Sequence, residues 1–171
     1  MTEATARAEV PADEAHPDVS VEMVRRERWS SDEADALVAA WHQWSRAPGP
    51  PQRQDMNLEA LGALAAKLFM LEPVHGGADW RYSMAGHDVS GWFGGNVTGY
   101  CLSELYAPDQ VADQAASYRK VAALQKIHVT EGKIEGEGIS PLRFEVVHLP
   151  IRAGRTDNPQ IWVLGGIFFL D

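Results

Sequence analysis

The sequence has little cysteine and no long apolar run. Its single cysteine, Cys101, cannot close an internal disulfide. The longest apolar stretch, residues 161–170, is about ten residues long and includes two glycines, whereas a bilayer-spanning helix needs roughly twenty apolar residues. The start of the chain also lacks the basic and then apolar pattern of a secretory signal. We therefore expect a protein of the reducing cytoplasm with no membrane span.

Positive charge is also scarce. Fifteen Lys and Arg stand against 24 Asp and Glu, which gives a formal net charge of -9. Because the basic residues are scattered, we expect no nucleic acid partner. The acidic excess is concentrated in residues 1–22, where six carboxylates accompany one arginine and few apolar residues. This composition predicts a disordered acidic arm over 1–22 that is dispensable for folding, followed by a single domain over 23–171.

Motifs of catalysis and metal binding are missing as well. The chain has no Gly-x-Ser-x-Gly elbow, no phosphate-binding loop and no spacing of His, Cys, Asp and Glu typical of a metal site. His87 and His128 stand alone and suit capping or surface hydrogen bonds, whereas His148 suits a satisfied place in the core. Glu135 and Glu137 lie in an acidic, turn-like stretch, which indicates a solvated edge rather than a catalytic pair. We expect neither an enzyme nor a metal protein.

Helical and strand patterns follow one another along the rest of the chain. A capping-box pattern at Ser30 precedes apolar residues at helical spacing, which predicts a helix over 31–45. After a proline-rich link, similar patterns predict helices over 57–67 and 108–124. Period-two patterns bounded by glycine and proline predict five strands, at 69–74, 80–84, 127–134, 143–151 and 160–170.

Two strands early and three late, with helices between them, describe an α+β domain. We expect a five-stranded antiparallel sheet with helices on one face, and the helix over 31–45 as an N-terminal extension outside this fold. The sequence ends at Asp171, directly after the last predicted strand. We therefore expect no output domain and a signal that leaves through contact with a separate molecule.

Several short motifs occur in a fixed order along the chain. They are Trp80-Arg81-Tyr82-Ser83-Met84-Ala85-Gly86, Trp92-Phe93-Gly94, Val97-Thr98-Gly99, Leu102-Ser103-Glu104-Leu105, with Pro51-Gln52-Arg53-Gln54-Asp55 upstream and Leu149-Pro150-Ile151 downstream. Over residues 31–171 this order resembles the PAS-like family found as short stand-alone bacterial proteins. The resemblance implies a five-stranded PAS fold with a small-molecule-sized interior, but it implies no particular ligand.

Some PAS proteins hold flavin or haem, and we expect neither here. The light-sensing subgroup has its cysteine in a Gly-Arg-Asn-Cys-Arg-Phe-Leu-Gln stretch. Aligned on Gly99, Cys101 falls where that subgroup has asparagine, and no Arg or Gln follows to hold the flavin. No histidine has the setting of a haem ligand. The sequence therefore predicts no cofactor.

The resemblance and the strand alternation place a candidate ligand pocket between the inner face of the sheet and the segment 87–105. Large side chains could instead fill this space, and both alternatives stay open, with the glycines of 86–99 favouring an open pocket. The expected lining residues are Tyr82, Met84, Val89, Trp92, Phe93, Leu105, Phe144, Val146 and His148.

Together these features predict a cytoplasmic PAS-type sensor or regulatory protein. In this interpretation it binds a small apolar or amphipathic molecule and signals through a separate partner protein. The alternative is an adaptor with a filled core that binds a partner protein and holds no ligand. An enzyme of unrecognised type is a third hypothesis.

Two tryptophans lie on the predicted N-terminal helix. Trp41 and Trp44 are three residues apart, and both lie outside the expected PAS fold. They could cover the outer face of the sheet or a second copy of the chain. Because tryptophan is a frequent interface anchor, we expect a homodimer through this helix.

The absence of cofactor-binding motifs gives a first prediction. The purified protein should be colourless and unresponsive to light. An absorption spectrum tests this, because bound flavin absorbs near roughly 450 nm and haem near roughly 400 nm. Either band in the purified protein would contradict the prediction.

Overall fold

The computed structural model describes residues 19–170. Most of the predicted acidic arm lies outside the described residues. Its last four residues, 19–22, belong to the first strand of the sheet, β1 (Val19–Arg26). The boundary that we predicted at residue 22 is therefore wrong. The error arises because the acidic composition of the flanking residues hides a short alternating segment.

Six strands among residues 19–170 form one antiparallel sheet. After β1 come β2 (Leu68–Val74), β3 (Asp79–Ala85), β4 (His128–Gly136), β5 (Leu142–Arg155) and β6 (Asn158–Leu170), in the spatial order β1-β4-β5-β6-β2-β3. The α+β class, the antiparallel sheet and all five predicted strands are confirmed. The sixth strand, β1, extends the sheet at the edge formed by β4.

In the described part of the chain, four α-helices accompany the sheet: α1 (Asp32–Trp44), α2 (His87–Trp92), α3 (Leu102–Leu105) and α4 (Pro108–Leu124). Short 3-10 turns occur at Arg53–Asp55 and His75–Gly77. The helix predicted over 57–67 is instead a 3-10 segment, Leu58–Lys67. Gly62 interrupts this segment with φ 58° and ψ -129°, a conformation that no helix contains. No helix among the described residues is both long and apolar enough to cross a membrane.

Both faces of the sheet are covered, which corrects the expectation of helices on one face. On the face that we call the helical face, the sheet packs against α2, α3 and α4. On the other, which we call the N-terminal face, it packs against α1 and the 3-10 segment. The N-terminal helix is therefore part of the domain core and no external extension.

Trp41 and Trp44 lie on the N-terminal face. They are 7% and 9% exposed in the single chain, and the Trp41 indole nitrogen donates a 2.9 Å hydrogen bond to the carbonyl oxygen of Pro150. This corrects their assignment to a dimer interface, because both side chains are already buried against the chain's own sheet. Of the two alternatives, the sheet covers them, and the homodimer itself stays a prediction.

A buried carboxylate fixes the start of α1. Glu145, on β5, is 2% exposed. It accepts hydrogen bonds from the backbone nitrogen of Ser30 at 2.9 Å and of Ser31 at 2.8 Å, and from the hydroxyls of both serines. The Ser31 hydroxyl in turn accepts from the backbone nitrogen of Ala34 and caps the helix. A negative charge at a helix N-terminus also complements the helix dipole.

We expect Glu145→Gln to lower the free energy of unfolding by about 2 kcal/mol, because the amide that replaces one carboxylate oxygen meets hydrogen-bond donors and leaves them unsatisfied. Chemical denaturation measures the change. Glu135→Gln is the matched control, since this carboxylate on β4 is 48% exposed and pairs with Lys133 at the surface. The control should change stability by less than roughly 0.5 kcal/mol. Equal losses in the two variants would contradict the prediction.

Candidate functional site

A β-bulge in β3 divides the predicted pocket residues between the two faces. Met70 pairs with Met84 and Leu71 pairs with Tyr82, so Ser83 has no partner of its own on β2. One extra residue reverses the alternation of the side chains that follow it. Tyr82 therefore packs on the helical face, whereas Met84 packs on the N-terminal face. The prediction that Met84 shares a face with Tyr82 is wrong for this reason.

Trp92 also lies away from the predicted pocket. It is 44% exposed, and its ring contacts Phe169 edge-on at 5.3 Å between centroids. Val89 in α2 and Phe93, the residue that follows the helix, pack toward the sheet. Trp92, the last residue of the helix, lies instead at the exposed margin of this face, against Phe169.

The other predicted residues are brought together on the helical face. Tyr82, Val89 and Val146 are 3%, 0% and 6% exposed, and the Tyr82 ring contacts Phe93 edge-on at 5.7 Å. Side chains therefore fill the inner part of this face, as in the filled-core alternative. The residues that share it are Tyr82, Val89, Phe93, Leu105, Phe144, Val146 and His148.

Tyrosine hydroxyls are the polar groups in the middle of this packing. Burial raises the pKa of Tyr106 to about 12, and it also raises the pKa values of Tyr82 and Tyr118. These hydroxyls therefore stay neutral at any physiological pH. They supply dipoles and hydrogen bonds to the helical face, but no charge.

His148 lies opposite His128 on neighbouring strands of the same face. Its ring contacts Phe69 at 6.0 Å and Tyr118 at 5.3 Å, both edge-on. Burial, together with smaller effects of the nearby His128 and Arg25, lowers the pKa of His148 to about 4. The neutral imidazole therefore packs within the core of the helical face.

A cavity of about 310 Å³ lies on the N-terminal face, between β2, β3 and the 3-10 segment. Its floor is the cross-strand pair Met70 and Met84, and Met56 and Leu58 form its wall. This site could not be predicted from the sequence, because the bulge that turns Met84 toward it is not visible in the alternation of the side chains. The lining residues are Arg53, Met56, Leu58, Met70, Ser83 and Met84.

Two polar groups lie at the methionine-lined cavity. The Ser83 hydroxyl donates a 3.3 Å hydrogen bond to the carbonyl oxygen of Met70. Arg53 is exposed, and its guanidinium carbon lies 5.1 Å from the centre of the Trp162 ring. Within the described part of the chain Arg53 makes no ion pair, and the nearby Asp55 is paired with Arg46. The cavity thus combines an apolar lining with one cation.

The described residues contain no group of three or more His, Cys, Asp and Glu side chains that could hold a metal ion. Cys101 is a half-buried free thiol, and burial together with the charge of Asp79 raises its pKa. Because the thiolate is the reactive form, a raised pKa makes this thiol less reactive. A concavity at 154–157 lies on the exposed β5–β6 turn.

The lowered pKa of His148 predicts a pH-dependent stability. An unfolded histidine titrates near its ordinary pKa of 6.5, whereas the folded one binds its proton only near pH 4. The contribution of the neutral His148 to the free energy of unfolding is therefore complete above pH 6.5 and is lost as the pH falls toward 4. The total loss is roughly 2–3 kcal/mol. Chemical denaturation between these pH values should show this loss, and His148→Gln should reduce it. His87→Gln, at an exposed position, is the control, and an equal slope in all three proteins would contradict the assignment.

The comparisons with known proteins agree with this architecture. A family model described as a PAS domain matches residues 30–167 of the 171-residue chain. No curated protein sequence and no solved structure matches the chain. The matched region includes β2 to β5, most of β6 and all four helices, including α1 on the N-terminal face. The chain belongs to the PAS domain family.

Proposed function

We propose that this chain is a cytoplasmic regulatory protein that binds a small amphipathic molecule in the methionine-lined cavity and passes the bound state to a separate protein. Membership of the PAS domain family supports a sensory or regulatory role in general. The methionine-lined cavity supports the proposal that the protein binds a ligand. Its volume of about 310 Å³ lies within the range of small-molecule sites, and its largely apolar lining with few polar groups is typical of them.

The lining suits a short apolar chain that ends in an anion. Methionine side chains are flexible and polarisable, so Met56, Met70 and Met84 can adapt to ligands of different shape. Arg53 supplies the cation, and no carboxylate of the described residues occupies its guanidinium. A carboxylate at the mouth of the cavity would form a charge-assisted hydrogen bond with it.

The floor and the wall of the cavity differ in rigidity, so ligand binding would change the structure of one of them more than the other. The floor belongs to the central sheet, and Met70 is 3% exposed. The wall contains the 3-10 segment Leu58–Lys67, which has no buried residue and is interrupted at Gly62. Because 3-10 hydrogen bonds have poorer geometry than α-helical ones, this wall is the part that a ligand would rearrange. The segment contacts α1 through the ion pair of Lys67 with Glu33, so the change would reach the surface of α1.

The filled helical face favours a second candidate, the ligand-free adaptor. Side chains occupy the space in which the sequence predicted a pocket, and apolar residues remain exposed elsewhere, among them Trp92 and Phe169. In this case the protein would act through its surface alone. Native mass spectrometry of the purified protein separates the two candidates, because only the sensor should retain or accept a small molecule.

Octanoate and octanol are suitable probes for calorimetric titration. Octanoate should bind, and Arg53→Gln should weaken its binding on the order of tenfold because a charge-assisted contact is lost. The same variant should leave octanol binding unchanged, since octanol has no charge. Equal effects on both probes would show that Arg53 does not contact the ligand.

Met84→Trp tests the position of the site. Because the indole would enter the methionine-lined cavity, we expect loss of octanoate binding with a stability change of less than about 1 kcal/mol. Val146→Trp on the filled helical face is the matched control, and it should cost roughly 1–3 kcal/mol through overpacking. Octanoate binding that survives Met84→Trp would place the site elsewhere. No binding of either probe by the unmodified protein, with no ligand in the native mass spectrum, would favour the adaptor.

A further inference from the structure

Strand β1 forms one edge of the sheet. Its eight residues pair with β4 without a register shift, from Val19 opposite Gly136 to Arg26 opposite Val129. Among the residues that the structure describes, no strand pairs with the other side of β1. In an antiparallel ladder alternate residues direct their N–H and C=O groups to opposite sides. Within residues 19–170, the outer side of β1 is therefore a row of backbone donors and acceptors without a strand partner.

This edge has charged residues but lacks the other usual forms of protection. Edge strands in folded proteins are commonly shortened, bulged, charged, interrupted by proline or covered. β1 carries Glu22, Arg25 and Arg26, but it contains no proline and no bulge, and its apolar side chains are exposed: Val21 by 59%, Met23 by 49% and Val24 by 42%. An edge strand of this kind is a template for the addition of another strand.

The charges of β1 identify a second β1 as the fitting strand. In a dimer whose two-fold axis runs perpendicular to the sheet, the same face of both copies lies on the same side. Residues that oppose each other across the axis then point to the same face, so both must have even numbers or both must have odd numbers. Centred on Glu22, the pairing opposes two carboxylates, which is unfavourable. When the pairing is centred on Met23, Glu22 of one copy faces Val24 of the other, and no opposite charges meet. When the pairing is centred on Val24, Glu22 of each copy faces Arg26 of the other, and the two Val24 residues face each other.

We propose that β1 pairs antiparallel with β1 of a second copy, centred on Val24, so that the two sheets become one twelve-stranded sheet. Arg26 exposes 51% of its side chain and already contacts Glu131 at 2.9 Å. Its guanidinium has five N–H donors and can serve both carboxylates. On the opposite face the aliphatic stem of Arg25 crosses Met23 of the other copy and covers apolar surface.

Sedimentation of the full chain over a range of concentrations tests the proposal. A strand pair is a small interface, so the dimer should dissociate on dilution, and salt should weaken it by screening the Glu22–Arg26 pairs. Glu22→Lys places a cation opposite Arg26 and should raise the dissociation constant on the order of tenfold. Asp113→Lys makes the same change of charge on the exposed side of α4 and should leave it unchanged. A monomer at every concentration, or equal dissociation constants for both variants, overturns the proposal.

Cysteine cross-linking tests the register. In a Cys101→Ser background, Val24→Cys should give a disulfide-linked dimer on oxidation, because opposed residues have Cα atoms about 4.5–5.5 Å apart. Met23→Cys should not, since its two copies lie two residues out of register and roughly 8 Å apart. Circular dichroism checks that each variant is folded. Cross-linking through position 23 that equals or exceeds that through position 24 overturns the pairing.

Discussion

The buried carboxylate of Glu145 is the interaction on which the arrangement of the N-terminal face depends. A carboxylate with 2% exposure needs several hydrogen-bond donors, and the backbone and hydroxyl groups of Ser30 and Ser31 supply them. This requirement fixes the start of α1 against β5. The helix then covers the sheet with Trp41 and Trp44, and Glu33 on its first turn pairs with Lys67 of the 3-10 segment. The wall of the methionine-lined cavity is thus positioned through α1.

The two faces of the sheet differ because of one extra residue in β3. With regular alternation Met84 would join Tyr82 on the helical face, where the aromatic rings already fill the interior. The bulge at Ser83 turns Met84 to the other side, opposite Met70. That side is covered by a 3-10 segment with no buried residue, so the cavity remains between them. Tight packing on one face and a cavity on the other therefore follow from the same strand.

The sequence predicted what depends on local periodicity and missed what depends on a single residue or on distant partners. The helix over 108–124 and the five strands have long apolar patterns, and the structure contains all of them. The bulge adds one residue without changing the local pattern, so the face of Met84 could not be predicted. The positive φ of Gly62 breaks a helix that apolar spacing alone favoured. The place of α1 depends on Glu145, more than a hundred residues away along the chain.

The same carboxylate connects the N-terminal face with the edge of the sheet. Glu145 lies directly opposite Glu131 of β4, and two like charges at such a pair destabilise a sheet. Each carboxylate has its own neutralising partners: Glu145 has the start of α1, and Glu131 has Arg26 at 2.9 Å and Arg143 at 2.6 Å, which lower its pKa. Since Arg26 belongs to β1, the edge strand supplies one of the two cations that balance this pair. The helix that positions the cavity wall and the strand proposed to join two copies therefore stabilise neighbouring charges of one sheet.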